Sequence, residues 1–145
     1  MDRQSQATAP SATVSVPRVL FVCVRNAGRS QLAAMFLQQL GGRLVQVDSA
    51  GSRPAGAVHE NVAQVMTEHG AVMDGLRPRA LTDEKVWSSD YVITMGCGDD
   101  CPVFEHVHYE DWLVGDPGEA DWEALEAIVA DIERRVADFW DRIHR

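Results

Sequence analysis

The stretch Val19 to Gln31, Val-Leu-Phe-Val-Cys-Val-Arg-Asn-Ala-Gly-Arg-Ser-Gln, constrains the fold more than any other part of the chain. The apolar run from Val19 to Val24 reads as a short buried strand. It breaks at Asn26-Ala27-Gly28, and a helical pattern starts at about Arg29. Cys23 therefore stands at the carboxyl end of a strand, and Arg29 follows as Cys-x5-Arg with Ser30 behind it. Five intervening residues can wrap into a loop whose backbone N–H groups converge on one point. The following helix turns its positive end to the same point. An oxyanion bound there would lie over the Cys23 sulfur, with the Arg29 guanidinium gripping two of its oxygens. The same donors favour a thiolate over a thiol. A buried cysteine beside a glycine turn is the plainer reading, and the strand–loop–helix context ending in Arg-Ser outweighs it.

The rest of the chain alternates strands and helices. Met1 to about Val16 is rich in Gln, Ser, Ala and Thr and reads as a flexible tail, which leaves residues 17–145 as one domain. A helix is expected over Arg29–Leu40, with Leu32, Met35, Phe36 and Leu40 at helical spacing and Gly41-Gly42 as its stop. Leu44–Val47 reads as a second strand, and about Val58 to His69 as a second helix with Val58, Val62, Val65 and Met66 on one face. Thr82 can cap a short helix ending near Trp87. Tyr91–Met95 reads as a third strand and Glu105–Tyr109 as a fourth. A last helix, about Asp121 to Ile143, carries Trp122, Leu125, Ile128, Val129, Ile132, Val136, Phe139 and Trp140 as its core stripe. Such alternation predicts an α/β three-layer sandwich around a parallel sheet. Ligands then bind at the carboxyl ends of the strands, and Cys23, Ser49 and Cys97 are each expected just past such an end.

Composition narrows the partners. Thirteen basic against 22 acidic residues give a formal charge of −9, which argues against nucleic acid or an anionic membrane. An anion must then be held by local dipoles and Arg29, not by the overall field. No apolar run approaches a membrane span, and the first residues lack the basic start and apolar stretch of a secretory signal. Three cysteines, an odd number, read better as reactive thiols in a reducing cytoplasm than as a disulfide framework. Two of them, Cys97 and Cys101, lie in the glycine-containing stretch Thr94-Met-Gly-Cys-Gly-Asp-Asp-Cys-Pro102. Asp116-Pro117 lies in a loop after the fourth strand and is either a turn or a general acid.

The loop at Cys23 resembles that of the low-molecular-weight protein tyrosine phosphatases and of the arsenate reductases that share their fold. The resemblance runs from about Arg18 to Arg145 and implies a four-stranded parallel sheet in the order 2-1-3-4. Three thiols, with the stretch around Cys97 and Cys101, are similar to the thioredoxin-coupled arsenate reductases, although the two loop thiols are closer together here than in other forms of that family. It implies that the Cys23 thiolate attacks arsenate held by Val24, Arg25, Asn26, Ala27, Gly28, Arg29 and Ser30. Arg29 then stabilises the oxyanion and Asp116 protonates the departing oxygen. Cys97 would attack the Cys23–arsenic adduct, and Cys101 would attack Cys97 and leave a Cys97–Cys101 disulfide on the surface for thioredoxin. Ser30 would donate to the Cys23 sulfur and Asn26 would order the loop. Phosphate and sulfate would compete with arsenate, no tightly bound cofactor is implied, and the protein would act as a cytoplasmic monomer. Thioredoxin is preferred to a small thiol as reductant because a second and third cysteine are present.

The chain also departs from the pattern. Arg25 is an unusual loop occupant that either adds charge near the anion or points to solvent. Ala34 stands where some members carry an acidic potassium ligand, so that site is not carried over. Gly118 follows Asp-Pro, where the phosphatases typically place an aromatic residue. Two other readings remain. One is a phosphomonoesterase in which Cys97 and Cys101 protect Cys23 from overoxidation. The other is a zinc protein built on Cys97, Cys101, His106 and His108, which leaves Cys-x5-Arg unexplained. His59 and His69 read as helix surface, and His144 as a solvated tail.

Overall fold

The structure is a computed structural model that describes residues 16–96 and 101–144. Of the expected tail only Val16 falls inside this range, and Cys97 lies outside it. The described elements are β1 (Arg18–Cys23), α1 (Arg29–Gly41), β2 (Gln46–Gly51), α2 (Glu60–Glu68), α3 (Asp83–Trp87), β3 (Tyr91–Thr94), β4 (His108–Asp111) and α4 (Trp122–Ile143). A single 3-10 turn, Gly42–Leu44, joins α1 to β2.

The strands form one parallel sheet in the spatial order β2-β1-β3-β4, as the resemblance implied. In register, Cys23 pairs with Gly51 and Val22 with Thr94. The carboxyl ends of β1, β2 and β3 thus meet along one edge. The chain runs from β1 outward to β2 and returns to the other side of β1 at β3. Ligands of parallel sheets bind at such a reversal, and here it falls at the end of β1, where Cys23 stands.

β1 is apolar throughout because both of its faces are covered. Val19, Phe21 and Cys23 face the larger core, shared with α1, α2 and α4, and Leu20 and Val22 face the smaller one. The smaller core is closed by Val86 of the five-residue α3 and by Cys101 and Val107. The sandwich is therefore lopsided, with three substantial helices on one face and a thin cover on the other.

Several boundaries move from their sequence-based positions. β2 continues to Gly51, so Ser49 lies within the strand and not past its end. β4 begins at His108, later than the Glu105 start that the apolar pattern suggested. Leu40 and Trp122, expected in the core, are 50% and 45% exposed. Leu37 is buried in α1 and Leu40 is not. Thr82 caps α3 by accepting from the Lys85 N–H at 3.1 Å, and Asp121 caps α4 by accepting from Ala124 N–H at 2.8 Å.

Candidate active site

Cys23 is buried at the last position of β1, and the five residues after it form a loop pinned from outside. The carbonyls of Cys23, Val24, Arg25 and Ala27 accept from the N–H groups of Ser52, Arg53, Ala55 and His59, at 2.7 to 3.2 Å. In a trans peptide the N–H of the next residue points opposite to the carbonyl. The amides of Val24, Arg25, Asn26 and Gly28 therefore turn away from the 52–59 segment. None of the N–H groups of residues 24–29 has a hydrogen-bond partner among the described residues. α1 starts at Arg29 with no side-chain cap and no acidic residue in its first turn. A ring of unpaired amides at an uncapped helix start is an oxyanion cradle. Gly51 makes the pinning possible: a Cβ there would stand 2.7 Å from Val24 O and 2.9 Å from Asn26 N.

A buried polar network sets the loop's shape. Asn26 adopts φ 52°, the left-handed region that Asn tolerates better than most residues. Its Nδ2 donates to Ser30 Oγ at 2.6 Å. Its Oδ1 accepts from the Arg79 N–H at 2.9 Å and from Gln31 Nε2 at 3.2 Å. Ser30 Oγ in turn lies 2.9 Å from Cys23 Sγ. Because Ser30 accepts from Asn26, its own proton is free to be donated to the sulfur. The roles expected for Ser30 and Asn26 thus have matching geometry. Arg25 is exposed.

Arg29 lies under the start of the cysteine loop. A Cβ at Gly96, which has φ +93°, would stand 2.9 Å from Arg29 Nη1. Among the described residues no carboxylate pairs with Arg29. Its guanidinium is left available to an anion.

Cys101 is 9% exposed, at the edge of the smaller core. The segment after it is tied to β4 by Tyr109, whose hydroxyl accepts from Phe104 N–H and donates to Pro102 O, at 2.8 and 2.9 Å. Burial raises the Tyr109 hydroxyl above its usual range, against the Phe104 bond that lowers it, and nearby Cys101 adds to the rise. The sequence expectation put the finished disulfide on the surface. The Cys101 thiol itself is inside, because Val86, Val92 and Val107 surround it in the smaller core.

Asp116 is exposed, with Oδ1 accepting from Gly118 N–H at 3.0 Å. The next residue, Pro117, packs onto the Cys23 loop: a Cβ at Gly28 would stand 2.8 Å from Pro117 Cγ. The Asp-Pro step and the loop of Cys23 are thereby in direct contact. Two residues that sequence reasoning missed join them. Asn61 Nδ2 donates to Pro117 O at 2.8 Å, and the His59 ring lies between Gly28 and Gly118. No periodicity marks Asn61, and His59 had read as helix surface.

The histidines proposed for zinc have other partners. His106 lies in the turn before β4, with Nε2 at 2.8 Å from Trp87 O, and His108 Nε2 is 3.4 Å from Glu110. Among the described residues no group of three His, Cys, Asp or Glu side chains is arranged to hold a metal ion. His69 packs edge-on against Phe36, and the exposed His144 stacks on Trp140.

The family model described as low molecular weight phosphotyrosine protein phosphatase matches residues 18–145, which include every one of these groups. The chain belongs to that family. A solved thioredoxin-dependent arsenate reductase of Corynebacterium glutamicum superposes with a TM-score of 0.81 and 42% identity, over 92% of this chain. This chain spans 64% of that longer one. A Halobacterium salinarum protein provisionally named for arsenate reduction is 37% identical over 129 residues, 86% of this chain and 91% of its own. A solved arsenate reductase in a phosphate binding state is 27% identical, with a TM-score of 0.76 over 88% of this chain and 99% of its own. The family description names a phosphatase, and these relatives carry the name of a reductase. No helix among the described residues is long and apolar enough to cross a membrane.

Proposed function

We propose that this protein is a cytoplasmic arsenate reductase that cycles through Cys23, Cys97 and Cys101 and is recharged by thioredoxin. The observation that carries the reading is the contact of Gly96 with Arg29. The residue directly before Cys97 packs so close to the guanidinium that would grip the anion that a Cβ on it would stand 2.9 Å from Nη1, and in the reductase reading the next residue is the second thiol of the cascade.

The steps balance. Arsenate sits on the free amides of residues 24–29 with two oxygens on Arg29. The Cys23 thiolate attacks arsenic while one As–O bond breaks, and the departing oxygen takes a proton from Asp116 and leaves as water. The Cys97 thiolate then attacks the Cys23 sulfur. An S–S bond forms, the S–As bond breaks, and its electron pair reduces As(V) to As(III), released as arsenite. Cys101 attacks Cys97, freeing the Cys23 thiolate and leaving Cys97–Cys101. A thioredoxin dithiol restores both thiols and is itself oxidised. Since the Cys101 thiol is buried, its exposure is a step of the cycle. The relatives named for arsenate reduction, the thioredoxin-dependent one among them, support the substrate and the donor.

The test is a single turnover without reductant. Fully reduced protein given arsenate should fall from three free thiols to one, with peptide mapping showing Cys97 joined to Cys101. Cys23→Ser protein should keep its two. Retention of all three thiols in the wild type would end the redox reading. Phosphoester hydrolysis would then be assayed, because Cys23, Arg29 and Asp116 are equally the parts of a phosphomonoesterase.

A further inference from the structure

The loop carrying Asp116 runs from the end of β4 to the Asp121 cap of α4 without a strand or helix of its own. Inside it, Gly118 N–H donates to Asp116 Oδ1 at 3.0 Å and Ala120 N–H to Pro117 O at 3.2 Å. These two local bonds make a turn and do not orient it toward Cys23.

Orientation comes from the start of α2. The N–H of His59 donates to Ala27 O at 3.0 Å, which fastens this helix start to the Cys23 loop. From the same point two side chains reach the other loop. A Cβ at Gly118 would stand 2.7 Å from His59 Nε2, and one at Gly28 would stand 3.5 Å from His59 Cδ2, so the ring is a wedge between the two loops. Asn61 completes the link by donating from Nδ2 to Pro117 O at 2.8 Å. Its amide cannot flip without loss, because Oδ1 already accepts from the Val62 N–H at 2.8 Å. A carboxylate in its place would keep the Val62 bond and turn an oxygen toward Pro117 O.

We infer that His59 and Asn61 are a positioning pair for the Asp116 carboxyl, setting its distance from the anion held over Cys23. The inference rests on Asp116 acting as the proton donor in the reaction above. The physical basis is that a general acid works only within hydrogen-bond reach of the departing oxygen, and an error of about 1 Å in placement can cost up to 10²-fold in rate. The pair sits at the start of α2, an element that supplies neither the nucleophile nor the acid, and it joins the two loops through the His59 backbone and both side chains.

The experiment is a rate cycle on the full-length protein. Asn61→Asp, Asn61→Ala, His59→Ala, Asp116→Asn and the double variant Asn61→Asp with Asp116→Asn are compared. The chemistry is followed as the rate at which free thiols are lost in a single turnover with saturating arsenate and no reductant. Anion binding is read separately, as protection of Cys23 from alkylation by inorganic phosphate. The expected result is a rate about tenfold lower in the Asn61 variants and His59→Ala with phosphate protection unchanged. The double variant should be no slower than Asp116→Asn alone. If Asp116→Asn runs at the wild-type rate, Asp116 is not the acid and the inference falls with that reading. If Asp116→Asn is slow but the Asn61 and His59 variants are fast, or if the two losses multiply, the acid stands and the positioning role is overturned. Asn61→Ala, which adds no charge, separates a loss of position from a folding defect caused by the new carboxylate.

Discussion

The Ser30 hydroxyl lies 2.9 Å from the Cys23 sulfur, inside the protein, and receives a hydrogen bond from Asn26 Nδ2 on its other side. The serine is thereby oriented as a donor to the thiolate. A hydrogen bond to a charged partner contributes about 1.5–3 kcal/mol. Ser30→Ala should therefore slow alkylation of Cys23 by iodoacetamide at neutral pH by about tenfold or more. An unchanged alkylation rate would mean that the hydroxyl does not support the thiolate.

Asn26 holds more of the loop than Ser30 does. Its side chain makes bonds with Ser30, Gln31 and the Arg79 backbone, and its backbone stands at φ 52°. Asn26→Gly keeps the backbone conformation and loses the three partners, whereas Asn26→Ala loses both. We expect phosphate protection of Cys23 to weaken in both variants, with a lower thermal midpoint in Asn26→Ala than in Asn26→Gly, since a left-handed alanine costs roughly 1–2 kcal/mol of stability. Equal midpoints would show that the side-chain bonds, and not the backbone, govern this position.

Gly96→Ala tests the link between the anion site and the cysteine loop. The added Cβ would stand 2.9 Å from Arg29 Nη1 on a backbone at φ +93°. The guanidinium must shift or the backbone must move. Phosphate should then protect Cys23 about tenfold less well, on the scale of one disturbed charge-assisted hydrogen bond. Wild-type protection in this variant would remove Gly96 from the argument for the reductase.

Acid stability should hinge on Glu110, far from the chemistry. Its Oε1 and Oε2 accept from Arg142 at 3.0 and 2.8 Å, and Oε1 also accepts from Trp112 Nε1 at 3.0 Å. The Arg142 bond leads in lowering its pKa from 4.5 to about 2, in spite of burial that acts the other way. A group with a depressed folded value stabilises fully above its unfolded pKa, and that contribution fades as pH falls from about 4.5 toward 2. Glu110→Gln should lower the thermal midpoint at neutral pH and flatten its acid dependence, so that the two proteins converge near pH 2. Parallel curves down to that pH would show that the pair is not the acid-sensitive element.

Much of the fold was legible from residue order. The apolar run Val19–Val24, the break at Gly28 and the helical spacing after Arg29 placed the central strand, the loop and the first helix. Hydrophobic period is a local property, so local elements follow from it. It failed where burial depends on neighbours: nothing around Leu40 or Trp122 tells that each is left outside the core. The start of β4 slipped for a related reason. Glu105 and His106 belong to a turn tied to Trp87, and strand pairing with β3 begins only at His108.

The candidate nucleophile, its arginine and the Asp-Pro step could be named from the chain alone, because loop chemistry of this kind needs particular residue types at close spacing. Their mutual arrangement could not. Arg79 reaches Asn26 across 53 positions, and Asn61 reaches Pro117 across 56. Gly96 meets Arg29 only because β3 lies beside β1. Likewise, Cys101 is inside because the thin face of the sheet needs an apolar filler there. By itself the sequence determined which groups exist and on which local element each would lie, since periodicity and backbone stereochemistry act over a few residues. Only the tertiary structure decided which of those groups touch. Contacts between distant segments depend on strand order and loop path, and no spacing along the chain encodes either one directly.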